Sequence, residues 1–533
     1  MKKNLKILLI SILSIISLCI FLGCNDPTLP LDNSHDNTQS GTATGTVDTD
    51  GDGIADGTAI DTNGDGSPDG VDTNGDGVID VEWSDSYSIL YYSVTYNGNG
   101  KESGTIPQDS TNYIAGATVT VLGNNGNLTL TDCDFKGWNT KADGSGTSYK
   151  SGETFSIGSA NVLLYAQWER RFDIYVGGYQ SYAPTYWKNG EEGVNLKTDS
   201  ITSYCYSIFV DDDEKVHAAG WGKNSSGVKT ARYWDGTGSG IFLTDGSTES
   251  KAYSVAVYKG IAYVAGYEKA VEPYYNETDK EGELNQFARL WKIENGNVTK
   301  INIAKESGDD GEEYKSYARA IFIDDSGLLY VAGHENNAEN PGKGYFAAKY
   351  WTYNEGTITE TTLANGTSGS KYSANAYGIT VTDGVVYVCG RGKGGKSYNY
   401  ADVTRYWKDN NGTVTETTLV TETPANQNCD SEGYSICVNQ EVVYVAGGEK
   451  QEDSSVDVKY WTDNDGTISQ TILSEEPEGY YAFSILVYED AVHVAGQTRD
   501  NSTVTATYWR DGKETLLSSK PSSAWSLFLV KKN

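Results

Sequence analysis

Tyr263-Val-Ala-Gly266 followed by Leu290-Trp291, Tyr330-Val-Ala-Gly333 followed by Tyr350-Trp351, and Tyr444-Val-Ala-Gly447 followed by Tyr460-Trp461 are copies of one pattern. Each is a short strand ending on glycine, then a second strand ending on a tryptophan pair. The pair occurs seven times, at Tyr186-Trp187, Tyr233-Trp234, Leu290-Trp291, Tyr350-Trp351, Tyr406-Trp407, Tyr460-Trp461 and Tyr508-Trp509, in steps of 47, 57, 60, 56, 54 and 48 residues. Upstream of the glycine-ended strand stands another, such as Tyr206-Ser-Ile-Phe-Val210 or Tyr434-Ser-Ile-Cys-Val438. Downstream of the tryptophan, a turn leads to a fourth, such as Thr415-Glu-Thr-Thr-Leu419. Four short strands on a period near 50 residues fit the blades of a propeller. The first copy, from Phe172 to about Lys197, lacks its innermost strand, and the last segment, Trp525-Ser-Leu-Phe-Leu-Val530, is an innermost strand alone. Joined, they complete one blade and remove the free edges of an open stack. The expectation is an all-β chain whose residues 172–533 form a seven-bladed β-propeller closed by strand 525–530.

The composition agrees. The 533 residues include 60 Gly, 39 Tyr and 12 Trp but one Met, as in a β-rich, turn-rich extracellular protein. Lys and Arg total 41 against 73 Asp and Glu, a net charge of −32. That balance argues against nucleic acid as partner, because it offers no basic surface to displace counterions from phosphates. The propeller segment resembles bacterial repeats of the type Y-V-A-G…A-x-Y-W-x-x-G.

At the N-terminus, Lys2, Lys3 and Lys6 precede an apolar run from Ile7 to Leu22 that ends in Phe21-Leu22-Gly23-Cys24. The run is short for a membrane span. It resembles a bacterial lipoprotein signal over residues 1–23, with Phe21 where leucine is usual. The resemblance implies lipid on Cys24, which would tether the protein to a membrane on the extracytoplasmic side. The alternative is an ordinary secretory signal with Cys24 incidental. Residues 24–46 are polar and without periodicity, and read as a flexible tether.

Residues 47–83 carry D-x-[DN]-x-D-G-x-x-D three times: Asp48, Asp50, Asp52 and Asp56; Asp61, Asn63, Asp65 and Asp69; Asp72, Asn74, Asp76 and Asp80. Oxygen ligands at loop positions 1, 3, 5 and 9, with glycine at 6, suit calcium. The twelfth-position acid is missing from the first and third copies, where Ala59 and Trp83 stand. Flanking helices are not expected. The array resembles thrombospondin type 3 calcium repeats, which implies a calcium-stiffened stalk; the alternative is an acidic linker that binds calcium weakly.

Residues 92–168 contain Val94-Thr-Tyr96, Asn97-Gly98, Phe135-Lys-Gly-Trp138-Asn-Thr-Lys-Ala-Asp-Gly-Ser-Gly-Thr-Ser-Tyr149 and Leu164-Tyr-Ala-Gln-Trp168. This stretch resembles an internalin-type B-repeat, the Listeria–Bacteroides repeat, which implies a small β-grasp-like module used as spacer or adhesive unit. It brings no catalytic residues. Trp138 and Trp168 read as core.

Chemistry is sparse elsewhere. After Cys19 and Cys24 five cysteines remain, an odd number at irregular spacing, so no disulfide framework is expected. Cys389 and Cys437 occupy apolar positions of the repeat. The four histidines, His35, His217, His334 and His493, have no metal spacing. Arg232, Arg289, Lys349, Arg405 and Lys459 precede five of the tryptophan pairs. They either line a face for an acidic ligand or cover apolar surface and pair with local acids. Tyr274-Tyr275 and Tyr398-Asn-Tyr400 are further candidate contact loops. Two function classes stay open: a monomeric, non-enzymatic surface lipoprotein that binds a host or neighbouring-cell protein or glycan, and a glycan-active hydrolase or lyase using paired carboxylates. The first is preferred, and no catalytic residue is assigned.

Overall fold

The protein's computed structural model describes residues 42–50, 52, 54–199, 202–238, 240–270, 285–304, 314–336, 345–365, 373–393, 401–420, 430–477, 480–500 and 503–532. The signal segment, Cys24, His35, Cys429 and both tyrosine loops lie outside them. The chain divides into two units, with the boundary between Glu169 and Arg170. Among the described residues every regular element is a strand.

In the second unit the described residues form seven four-stranded antiparallel sheets. One runs Ser431–Asn439, Val442–Lys450, Ser455–Asn464 and Thr467–Pro477, in sequence order from the inside out. Its outer turn, Asp465-Gly466, takes φ of 48° and 84°, the left-handed pair that a two-residue hairpin requires. The innermost strands contact one another in a closed circuit, and Ser522–Lys531 takes the inner place in the sheet of Phe172–Gln180. This strand is longer at both ends than the expected 525–530. The unit is a seven-bladed propeller, closed by its last strand.

The repeated tryptophan explains the core. Trp187, Trp234, Trp291, Trp351, Trp407, Trp461 and Trp509 are at most 1% exposed. Trp291 packs with Ala219 and Ala231 of the preceding blade and Trp407 with Ala332 and Ala348, whereas Trp234 meets the larger Tyr175 and Leu196. Burial of such a ring stabilises the blade contact by several kcal/mol, about 3–5 on truncation to alanine. Serines stitch neighbouring inner strands. The N–H groups of Ile208, Val255, Ile321, Ile485 and Leu527 donate to Ser526, Ser207, Ser254, Ser435 and Ser484 Oγ at 3.0–3.2 Å. At the seam, Lys532 and Lys188 both meet Asp173 at 2.8 Å. Burial raises the Asp173 carboxyl, but the two ammonium groups outweigh it and hold it at about 2.

In the first unit the strands of the Asp-rich stretch form a five-stranded sheet. Strands Val81–Glu82, Gly70–Asp72, Gly57–Asp61, Thr42–Asp48 and Ser88–Leu90 lie side by side in that order. The tether expected over 24–46 therefore gives way to a strand at Thr42. Val47, Ala59 and Val71 are fully buried beneath Trp83 and Tyr87, so the stretch has a small apolar core of its own. In the following module, Val94–Asn97 pairs in parallel with Val162–Arg170, and Thr118–Thr120 pairs with Thr154–Ser156 as a separate ribbon. No helix lies across this sheet among the described residues, which departs from a ubiquitin-like grasp. Trp138 is fully buried and donates to the Leu122 carbonyl at 2.8 Å, while Trp168 is half-buried and donates to Gly98 at 3.2 Å.

Candidate functional site

Each innermost strand of the propeller carries one β-bulge at the same repeat position. The repeated glycine of the adjacent strand makes room for it. A Cβ on Gly220, Gly390 or Gly447 would lie 1.8 Å from the carbonyl oxygen of Tyr204, Asn375 or Glu432, just before the bulge. Glycine is thus required by close backbone approach. The extra residue in each strand is unpaired with its neighbour, and these residues are Trp525, Tyr206, Tyr253, Arg319, Tyr377, Tyr434 and Phe483. Together with Glu432 they line a cavity of about 360 Å³.

These seven side chains form an unbroken collar. Ring centroids are 5.0 Å apart for Trp525 and Tyr206, 5.8 Å for Tyr206 and Tyr253, 5.5 Å for Tyr377 and Tyr434, 5.3 Å for Tyr434 and Phe483, and 3.9 Å for Phe483 and Trp525. The Arg319 guanidinium fills the remaining place, 4.3 Å from the Tyr253 centroid and 5.7 Å from that of Tyr377. Such geometries are favourable for rings and for a cation over a ring. Burial raises the phenols of Tyr206, Tyr377 and Tyr434, that of Tyr377 to about 12, so they remain hydroxyl donors at neutral pH. Glu432 accepts from Arg391 and from Tyr434, which compensates its charge. Behind the collar, His334 is 5.9 Å from the Tyr377 ring. Burial first, and Arg319 second, push its imidazole well below its ordinary range.

The cations that precede the tryptophan pairs do not line this cavity. Arg232 pairs with Asp199, Arg289 with Glu268, Lys349 with Glu335 and Glu360, Arg405 with Glu416, and Lys459 with Glu449 and Asp457. Arg232 also stacks on Phe242 at 4.5 Å. They are structural partners within the blades. His217 and His493 bond Tyr233 and Tyr508 hydroxyls at 2.6 Å. Burial holds His493 at about 4. Cys205 and Cys389 are buried and Cys437 half-buried, and burial raises all three thiols, which opposes thiolate chemistry.

The three Asp loops share one hydrogen-bond plan. The first-position carboxylates Asp48, Asp61 and Asp72 are at most 6% exposed. Asp61 accepts from the N–H groups of Gly64 and Gly66 at 2.7 and 2.9 Å, and Asp72 from Gly75 and Gly77 at 2.7 Å. The ninth-position Asp56, Asp69 and Asp80 accept from the hydroxyl and amide of Thr49, Thr62 and Thr73, which hold their carboxyls below the usual range. The fifth-position Asp52, Asp65 and Asp76 accept from the amide two residues on, at 2.8–2.9 Å. The loops differ at position 3. In the first, oxygens of Asp48, Asp50 and Asp56 lie within 4.8 Å of one another. In the others, the Asn63 and Asn74 amides donate to Asp69 and Asp80 at 3.1 Å.

Residues 92–167 match the Listeria-Bacteroides repeat domain. The resemblance read from the sequence is confirmed for this module, and the Listeria-Bacteroides repeat covers 76 of the 533 residues. Two proteins of Evansella cellulosilytica named as membrane proteins, one of them Gly-rich, are 40% identical over 82 residues and 32% over 111. The matches cover 15% and 19% of this chain and 12% and 13% of those relatives, about an eighth of their length. Solved structures similar to it include a Dyadobacter fermentans protein of unknown function (TM-score 0.40, 12% identity, 63% of this chain and 97% of that one). Another is Trypanosoma rangeli sialidase in complex with sialic acid (TM-score 0.36, 11% identity, 66% and 57%). Similarity at that level adds no function to the chain, and the fold rests on the strand order above.

Proposed function

We propose that this protein is a lipid-anchored surface protein whose propeller binds a ligand in its central cavity. The observation that carries the proposal is the collar: six aromatic rings and one guanidinium set by seven bulges around a cavity within the size range of small-molecule sites, about 300–1,000 Å³. An aromatic wall with a few convergent polar groups is the make-up of a binding site. Surface placement is supported by the lipoprotein-like segment ending at Cys24, by the Listeria-Bacteroides repeat, and by the membrane-protein names of the relatives. Calcium belongs to the proposal as the ion of the Asp loops. Three carboxylates converging in the first loop repel one another, and a divalent cation would offset two of their three charges. The second and third loops would add Asp61, Asp65, Asp72 and Asp76 as oxygen donors.

Binding is favoured over glycan hydrolysis by one feature of the cavity. Hydrolysis asks for two carboxyl groups set apart across a sugar. Among the described lining residues Glu432 is the single carboxylate, and Arg391 and Tyr434 engage it. The test is to array the mature chain carrying Cys24→Ala against glycans and matrix proteins while following new reducing ends. Retention without product supports binding; reducing ends released at catalytic rates would replace it with the enzyme reading.

A further inference from the structure

The collar is nearly a repeat, and its exception is informative. Six of its seven positions hold aromatic residues, and the seventh, in the blade that begins at Ser316, holds Arg319. An aromatic ring there would close the collar with apolar contacts alone. Arginine brings a planar charge, half-buried in the cavity wall and 4.8 Å from the centroid of the flanking Tyr317. Among the described residues no carboxylate or hydrogen-bond acceptor meets this guanidinium, and its Nε is buried without a partner. Every arginine and lysine preceding a tryptophan pair, by contrast, has its acid. The nearby Glu432 is committed to Arg391 and Tyr434, so it does not answer Arg319. His334, kept from protonating by burial and by Arg319, adds no second positive charge beside the guanidinium.

We propose that the cavity takes a single carboxylated sugar, a hexuronate unit, with Arg319 receiving its carboxylate. The guanidinium fork matches a carboxylate bidentately. Trp525 stacks one face on Phe483 at 3.9 Å, and the parts of the Trp525 and Tyr206 rings that line the cavity are apolar surface for the sugar's C–H groups. Protonated phenols offer hydrogen bonds to its hydroxyls: Tyr206 accepts from Trp221 Nε1 at 2.9 Å, which leaves its own O–H free to donate. A flat aromatic acid would satisfy the rings and Arg319 but would leave those hydroxyls unused. The volume of about 360 Å³ suits one sugar with its waters rather than a chain or a folded partner. The net charge of −32 agrees, since it repels a long polyanion while a single charge is screened beyond about 8 Å at physiological salt.

This inference rests on the reading of the propeller as a binding domain. The test is calorimetric titration of the mature Cys24→Ala chain with D-glucuronate, D-glucose and benzoate, in wild type, Arg319→Gln and Arg319→Lys. Glucuronate should bind with Kd of about 1 mM or tighter, glucose at least tenfold more weakly. Arg319→Gln should weaken glucuronate about tenfold or more, and Arg319→Lys less, because it keeps the charge but not the fork. Scanning calorimetry establishes that each variant is folded, and Arg319→Lys carries the test if Arg319→Gln is not. Equal binding of glucose, preference for benzoate, no heat with glucuronate at ~10 mM, or an unchanged Kd in the folded variants would overturn the assignment. Retention on an oligosaccharide ending in glucuronate separates the two readings. If Arg319→Gln is retained as well as wild type, the cavity assignment fails and the binding function stands. If glucuronate binds through Arg319 but no surface retains the chain, the assignment stands and the surface-binding reading fails.

Discussion

The Asp-rich sheet and the propeller are both built from sequence repeats, yet their order has different physical sources. In the sheet of residues 42–90, three buried side chains, Val47, Ala59 and Val71, support three loops. The loops are shaped by carboxylates that accept backbone N–H groups, as Asp61 does from Gly64 and Gly66. In the propeller, seven buried tryptophans and a closed circuit of inner strands do the equivalent work, and charged groups mostly pair with one another. A turn held by carboxylates answers to protons and cations. A blade held by buried rings answers to truncation and to volume. The two regions should therefore fail under different challenges.

Removing Trp525 to Asn533 is the severest challenge to the propeller. It takes away most of the innermost strand of the first blade and the Lys532 contact to Asp173. Loss of the propeller's cooperative melting is expected in calorimetry, and a truncated chain melting like wild type would break the closure argument. Next in size, Trp407→Ala should destabilise the propeller by about 3–5 kcal/mol in denaturant titrations. Gly390→Ala should approach that, at about 3 kcal/mol, because its Cβ meets the Asn375 carbonyl. Acid gives a smaller effect. His493 is neutral in the fold, held at about 4 by burial, and protonates more readily unfolded, near 6.5. Its contribution is complete above pH 6.5 and falls as pH drops toward 4, by up to ~3 kcal/mol. His493→Gln should flatten that part of the stability profile. Smallest is Asp61→Ala, about 1–2 kcal/mol, since three N–H groups lose an acceptor near solvent. Faster hydrogen exchange at Gly64 and Gly66, with the propeller unchanged, is the readout.

What the sequence disclosed follows from the range of each interaction. Blade number, strand order and ring closure were legible because Trp187 to Trp509 and the glycine-ended strands repeat at a nearly fixed spacing. The Asp loops were legible as loops, but their sheet was not. Its apolar residues Val47, Ala59 and Val71 are twelve apart and give no strand-like alternation. The collar was missed for another reason. Tyr206, Tyr253 and Tyr434 look like ordinary strand tyrosines, and only the pairing register shows them as bulged residues facing a common cavity. The signal is nonetheless present in the aligned repeats, where Arg319 stands at a position otherwise held by aromatic residues.

Hydrogen exchange across the whole chain, with calcium and then with glucuronate against a chelated, ligand-free reference, tests the central division of labour in one measurement. At 1 mM calcium and a Kd near 10⁻⁴ M, protection of about tenfold is expected within residues 48–80 and none in the propeller. Glucuronate should protect the innermost strands around Tyr206, Arg319 and Tyr377 and leave the Asp loops unchanged. Protection by both ligands in the same region, or by neither in the region assigned to it, would contradict the account.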